Sequence, residues 1–217
     1  MGSLDKCALQ IGRRSLLSYS VDTLQAVAEA VVVVVAADRL ASWQECAAAE
    51  GWQVAALVAG GVERGDSVRA GFAALRAALP EMAVVAIHDG ARPLVTREQA
   101  RDCLTAAVTH GAAILAAPVT DTIKRVHDGQ IVETLDRTML WAAQTPQCFR
   151  AELLAAAFAW MADTGGGPFT DEAGMVEAFG HPVRIVPGDA RNPKVTRPGD
   201  LAFAEALLRE RMEAGNG

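Results

Sequence analysis

Short apolar runs recur along the chain at Ala30–Ala37, Gln53–Val58, Ala83–Ile87 and Ala112–Val119. They are rich in Val, Ile, Leu and Ala, as expected of strands buried on both faces of a parallel sheet. Between them the apolar residues return at helical spacing. Leu17, Val21, Leu24 and Ala28 step by 4, 3 and 4, as do Val68, Phe72, Leu75 and Leu79, so each set shares one helical face. Thr96 with Gln99 three residues on forms a capping box, and Ser42 and Gly51 bracket another short helix. Apolar strands alternating with crossover helices predict an open, doubly wound, mostly parallel α/β sheet.

One segment breaks the rhythm. Thr122–His127 and Gln130–Leu135 read as mixed-polarity strands joined by Asp128-Gly129, a strong hairpin signal, so an arm over about 120–137 is expected to project from the sheet. Downstream the pattern predicts a helix from about Arg150 to Met161, a Gly165-Gly166-Gly167 loop and a helix from Thr170 stopped by Gly180. A strand at Val183–Val186 and a last helix opening at Pro198 complete the chain. No internal repeat interrupts this order, and residues 1–217 are expected to form one domain.

Charge narrows the choice of ligand. Lys and Arg number 20 against 26 Asp and Glu, a net of −6 with no long basic run, so nucleic acid is not an expected partner. A phosphate-bearing ligand would have to be met by a few local cations, helix N-termini and a divalent metal. The longest apolar runs, Ala30–Ala37 and Leu153–Ala162, fall short of the ~20 residues that span a bilayer, so no membrane segment is expected. Cys7, Cys46, Cys103 and Cys148 lack CxxC spacing and no signal-peptide pattern opens the chain, which points to a reduced, cytoplasmic protein.

Ligands of open α/β sheets sit beyond the carboxyl ends of the strands. After the run ending at Val58 comes Gly60-Gly61-Val62-Glu63-Arg64-Gly65-Asp66-Ser67, where glycines admit close backbone approach and Ser67 opens a helix. That suits a nucleotide base or phosphate, or an ordinary turn with Ser67 as its N-cap. After Ile87 comes His88-Asp89-Gly90-Ala91-Arg92-Pro93, in which Asp89 could hold Mg2+ and Arg92 an anion, or the pair could form a solvated Asp-Gly turn. Asp136-Arg137, Leu140 to Gln147, Thr170-Asp171-Glu172 and Asn192 to Thr196 follow, each with a structural alternative. Trp141 could be core, Thr170 a helix cap, Lys194 a surface charge. The four His form no zinc spacing and no Ser occupies a nucleophile elbow, which disfavours covalent catalysis and leaves electrostatic catalysis on phosphates.

In this order, Gly60-Gly61 through Asp66-Ser67-Val68, His88 to Pro93, Ala117-Pro118-Val119 with Asp121-Thr122, Asp136-Arg137, Leu140-Trp141, Gln144 to Gln147, Thr170-Asp171-Glu172 and Lys194 to Pro198 resemble the signatures of the 2-C-methyl-D-erythritol 4-phosphate cytidylyltransferase family. The resemblance implies a Rossmann-like nucleotidyltransferase that moves CMP from CTP to methylerythritol phosphate, releasing pyrophosphate, in the non-mevalonate isoprenoid pathway. It implies that Gly60, Gly61 and Ser67 hold cytidine and that Asp89 acts with Mg2+ on the triphosphate. Lys6, Arg137 and Lys194 would be catalytic, with Arg92, Thr122, Arg137, Thr145, Thr170 and Lys194 around the acceptor. The arm would make a homodimer and carry Thr122 and Arg137 into the partner's site. Pentitol-phosphate cytidylyltransferases share many of these motifs and offer a second reading.

Relatives in that family open with a buried strand and a Gly-rich, Arg-containing loop around the triphosphate, then a Pro-Lys pair. Here no such strand or loop precedes Lys6, and Asp5 stands in the proline's place. Weak CTP binding, a catalytically impaired dimeric remnant as a third reading, and exposed apolar strand edges are the corresponding expectations.

Overall fold

The computed structural model describes residues 5–165 and 169–214. In chain order the elements are β1 (Gln10–Ile11), β2 (Arg14–Ser15), α1 (Leu16–Gln25), β3 (Val32–Val35), α2 (Leu40–Glu50), β4 (Ala56–Ala59), α3 (Arg64–Ala78), β5 (Val84–Ile87) and α4 (Arg97–His110). They continue with β6 (Ala112–Pro118), β7 (Lys124–His127), β8 (Gln130–Thr134), β9 (Trp141–Arg150), α5 (Ala151–Thr164), α6 (Glu172–Ala178), β10 (Arg184–Pro187) and α7 (Pro198–Ala214). The α/β class, the hairpin arm β7–β8 and the helix opening at Pro198 match the sequence reading. Gly166, Gly167 and Pro168 lie outside the described residues, so the loop expected there is seen only at Gly165.

Helix starts follow local chemistry. At α4, Thr96 Oγ1 accepts from the Gln99 N–H while the Gln99 side chain accepts from the Thr96 N–H, the expected capping box. Three other starts differ from the sequence reading. Ser42 lies inside α2 and donates to the Arg39 carbonyl. Helix α3 is capped by Glu63 in a box with Asp66, which leaves Ser67 in the first turn donating to the Glu63 carbonyl. Asp171, not Thr170, caps α6, because its Oδ1 reaches the Gly174 N–H at 2.9 Å.

The larger sheet has the order β10–β6–β9–β5. β10 runs parallel to β6, but β9 runs antiparallel to both β6 and β5, pairing Val85 with Phe149 and Ile114 with Gln147. β9 does not read as an apolar run, since it buries Gln144, Thr145 and Gln147 beside Cys148 and Phe149. Its first residue, Trp141, is 40% exposed rather than core. Phe149, Leu154, Met175 and Val176 centre the core between this sheet, α5 and α6, while Val95, Cys103, Leu115 and Cys148 fill its α4 face.

β3 and β4 form a separate parallel pair. Helix α3 packs against β3 so closely that a Cβ on Gly71 would meet Val34 Cγ2 at 2.7 Å. Among the described residues no strand joins β3 to β5, and an apolar groove of about 990 Å³ lies between them. Leu17, Val21 and Leu24 of α1 and Phe72 and Leu75 of α3 help to line it. The Val31 and Val35 carbonyls accept bonds from the β4 side, which turns the backbone groups of Val32 and Val34 toward the groove. The Ala83 carbonyl accepts from Ala151 on the β9 side, so Val84 and Ala86 face the groove from β5. These are the open strand edges expected above.

Candidate active site

The segments after β4 and β5 meet where the groove opens, and Lys6, Arg64, Ser67, His88 and Asp89 all line that cavity. Asp5 positions the approach to Lys6: its Oδ1 accepts from the Cys7 N–H at 3.1 Å and its Oδ2 from Trp43 Nε1 at 3.0 Å. In place of a proline, the chain thus has a capped turn. Cys7 lies between Lys6 and the Asp89 loop, and burial, then Asp5 and Asp89, push its thiol up to about 11. It is a neutral thiol at pH 7.

Across the mouth, Gly60 donates its N–H to the Val35 carbonyl at 2.7 Å, and a Cβ there would meet Ser67 Oγ at 2.4 Å. Only glycine lets the loop lie against the first turn of α3. That packing brings Gly60, Gly61 and Ser67 into one short ledge.

Asp89 is the centre of charge. Lys194 Nζ lies 2.7 Å from its Oδ2, Arg64 Nη2 3.8 Å from its Oδ1, and Arg92 Nε 3.9 Å from its Oδ2. Burial alone would raise the Asp89 pKa, but Lys194, then Arg64 and Arg92, outweigh it and hold the carboxyl below its ordinary value. Lys194 is brought here because the Val195 N–H donates to the Ala91 carbonyl at 2.9 Å and Asn192 is buried under Gln144 and Thr145. Arg92 is fixed from behind, its Nη1 donating to the Asn192 carbonyl at 2.8 Å and its Nη2 to the Ala143 carbonyl at 3.4 Å.

Beneath Asp89 lies a polar chain that the motif reading did not resolve. The Asp89 N–H donates to Thr145 Oγ1 at 3.0 Å, Thr145 Oγ1 lies 3.0 Å from His88 Nδ1, and His88 Nε2 lies 3.2 Å from the Arg92 carbonyl. Burial lowers the His88 pKa to about 4, so the ring is neutral at pH 7. A carbonyl can only accept, so the proton is assigned to Nε2 and the Thr145 hydroxyl donates to Nδ1. Thr145 therefore spends its proton inward and supports the Asp89 turn.

Sequence reasoning also gave no role to the Arg64–Glu172 pair, in which Nη1 lies 2.6 Å from each carboxylate oxygen. Its members are 108 residues apart, and their only signal is that each sits at the start of a helix inside a motif already noted. Thr170 lies exposed beside this pair's helix. Thr122 and Arg137 are exposed on the arm, Arg137 donating to the Thr120 carbonyl, and no hydrogen bond or ion pair among the described residues ties them to the Asp89 cluster. No three side chains able to ligate a metal converge among the described residues.

A clustered carboxylate ringed by cations, beside a glycine ledge at the strand ends, is suited to a polyphosphate and a second anion. The family model described as 2-C-methyl-D-erythritol 4-phosphate cytidylyltransferase matches residues 2–210. The chain belongs to this family. A family member from Geobacillus kaustophilus is 48% identical over 160 residues, covering 74% of this chain and 68% of that protein. One from Geobacter metallireducens is 37% identical over 214 residues, covering 97% of this chain and 92% of its own. The matched part is 64–68% of the length of the Geobacillus kaustophilus, Symbiobacterium thermophilum and Bacillus licheniformis relatives. The crystal structure of the family's Thermus thermophilus member superposes with a TM-score of 0.77 at 32% identity, covering 94% of this chain and 93% of that one. The 4-diphosphocytidyl-2C-methyl-D-erythritol synthase of Anaerococcus prevotii gives 0.83 at 27% identity, with coverages of 94% and 93%. The nucleotidyltransferase fold implied by the motifs is therefore the family's fold.

Proposed function

We propose that this chain transfers CMP from CTP to 2-C-methyl-D-erythritol 4-phosphate, giving 4-diphosphocytidyl-2-C-methyl-D-erythritol and pyrophosphate. The observation that carries the reading is the convergence of Lys194, Arg64 and Arg92 on Asp89 beside the Gly60–Ser67 ledge. Family membership gives it its substrates. Those comparisons favour neither a pentitol-phosphate enzyme nor an inactive remnant.

The acceptor phosphate is ionised at pH 7, so no general base is required. One of its oxygens forms a bond to the α-phosphorus of CTP as the bond to the bridging oxygen of the pyrophosphate breaks, and that oxygen leaves with the electron pair. What the protein must supply is alignment and countercharge. Gly60, Gly61 and Ser67 would seat the cytidine. Lys194, with its side chain 44% exposed, can leave Asp89 for a phosphate oxygen, whereas Arg92 is fixed and presents charge from one place. Lys6 at the opposite lip would meet the other phosphates.

A single carboxylate fits Mg2+ brought in by a polyphosphate, since Mg2+ keeps waters and takes few protein ligands. Asp89 would hold it, and the ion would neutralise charge on the phosphates. For the assembly we propose a homodimer through the arm. Val126, Ile131, Val132 and Met139 are 55–83% exposed there, an apolar surface that a second copy would cover while presenting Thr122 and Arg137. Four free thiols fit a reducing, cytoplasmic setting. The reading is tested by pyrophosphate release with CTP, Mg2+ and either methylerythritol phosphate or a pentitol phosphate. Release dependent on the first acceptor is expected, and release with the pentitol phosphate alone would replace the proposal.

A further inference from the structure

Two arginines stand near Asp89 without bonding to it. Arg92 stops at 3.9 Å because its terminal nitrogens are tied to the Asn192 and Ala143 carbonyls. Arg64 stops at 3.8 Å because Nη1 is held by both oxygens of Glu172. A guanidinium otherwise prefers a bidentate fork with a carboxylate, at 2.7–2.9 Å. Glu172 itself is only 4% exposed, so its charge requires that partner. It is held in place from the sheet: Gln147 Nε2 donates to Asp171 Oδ2 at 2.8 Å, and Gln147 Oε1 accepts from the Ala173 N–H at 3.1 Å. These bonds fix the residues on both sides of Glu172.

We propose that Glu172 is a positioning residue for Asp89. By binding Arg64 it keeps that guanidinium from closing on Asp89, so that among the described residues the carboxylate is bonded by the movable Lys194 alone and can exchange it for a metal–nucleotide. What Asp89 exchanges Lys194 for rests on the function proposed above. The restraint on Arg64 is a property of the empty site and is testable without nucleotide.

The first experiment is side-chain 15N NMR of the nucleotide-free protein with arginine and lysine labelled. Glu172→Gln keeps the shape and removes the charge, so Arg64 should turn to Asp89 and displace Lys194, and the ion-paired Lys194 ammonium signal should be lost. An unchanged Lys194 signal in the folded variant overturns the proposal. The second is calorimetry of Mg2+–CTP. Glu172→Gln should weaken binding about tenfold, and in the nucleotide-free protein adding Arg64→Gln should restore the ion-paired Lys194 signal that the single variant lost, because the competing guanidinium is gone. A mere strut would leave the Lys194 signal the same in the double variant as in the single one, which contradicts the proposal. If Glu172→Gln does not fold, the parent protein decides: on adding Mg2+–CTP the Lys194 signal should move while Arg64 stays on Glu172, and release of Arg64 is the contrary result. A parent that binds no Mg2+–CTP removes the functional reading and leaves the nucleotide-free spectra to judge the pair.

Discussion

At Asp89, burial and three cations pull in opposite directions, and the cations win. Asp89→Asn keeps the size and the support from Thr145 but removes the charge. Pyrophosphate release should fall by about 100-fold or more, with the thermal midpoint within a few degrees of the parent. Parental turnover across a Mg2+ titration would take Asp89 out of the site. His88 makes a pH prediction. Its folded pKa of about 4 lies below the ordinary 6.5, so between those values the unfolded chain binds the proton and the folded one does not. Stability is therefore full above pH 6.5 and is lost as pH falls toward 4, by at most about 3 kcal/mol. Urea midpoints at pH 7.5 and 4.5 should differ more for the parent than for His88→Gln, and equal differences would show that His88 is not held neutral. Asp89 and Arg92 were legible in the sequence because they follow the end of β5 inside a recognisable motif, and Lys194 because it lies in a recognisable motif ahead of α7. Arg64 and Glu172 were not, because their partnership exists only after α3 and α6 are packed side by side.

Among the elements, β3, β4, β5 and β6 were legible as apolar runs whose ends shifted by only a few residues, but of these only β6 is buried along nearly its whole length, while β3, β4 and β5 are half-buried beside the groove. β9 escaped because the inward polar residues are satisfied by other segments. Gln144 Nε2 donates to the Asp189 carbonyl at 2.8 Å and Gln147 bonds Asp171, which hides a core strand behind a polar sequence. The same polar residues carry the Asn192–Lys194 and Asp171–Glu172 segments to Asp89, so the illegible strand is the one that assembles the site. The open edges of β3 and β5 give a further prediction. Amides of Val32, Val34, Val84 and Ala86 point into the groove, while those of Val33, Val35, Val85 and Ile87 point to paired neighbours. Hydrogen exchange should be faster in the first set by at least about tenfold. Equal protection in both sets would mean that the groove is closed in solution.

For the whole molecule, the arm is the part that the core does not explain. Every residue of β7 and β8 is exposed, and Val126, Ile131 and Val132 are left uncovered by the other described residues. Val126→Asp with Ile131→Asp should leave the fold intact and give a monomer by sedimentation, whereas an unchanged dimer would place the interface elsewhere. If the arm delivers Arg137 to a partner, Arg137→Ala and Ser67→Ala proteins should each be impaired and should regain activity when mixed into hybrid dimers. Verified hybrids with no recovery would rule out a shared site. Oxygen-18 placed on the phosphate of methylerythritol phosphate tests the central claim most directly, with CTP and Mg2+ and the products followed by 31P NMR. Direct attack on the α-phosphorus predicts a cytidine diphosphate ester in which one labelled oxygen bridges the two phosphorus atoms and the rest of the label stays on the methylerythritol-side phosphate, together with unlabelled pyrophosphate. Label in the pyrophosphate, or CTP and acceptor left unchanged, would contradict the account.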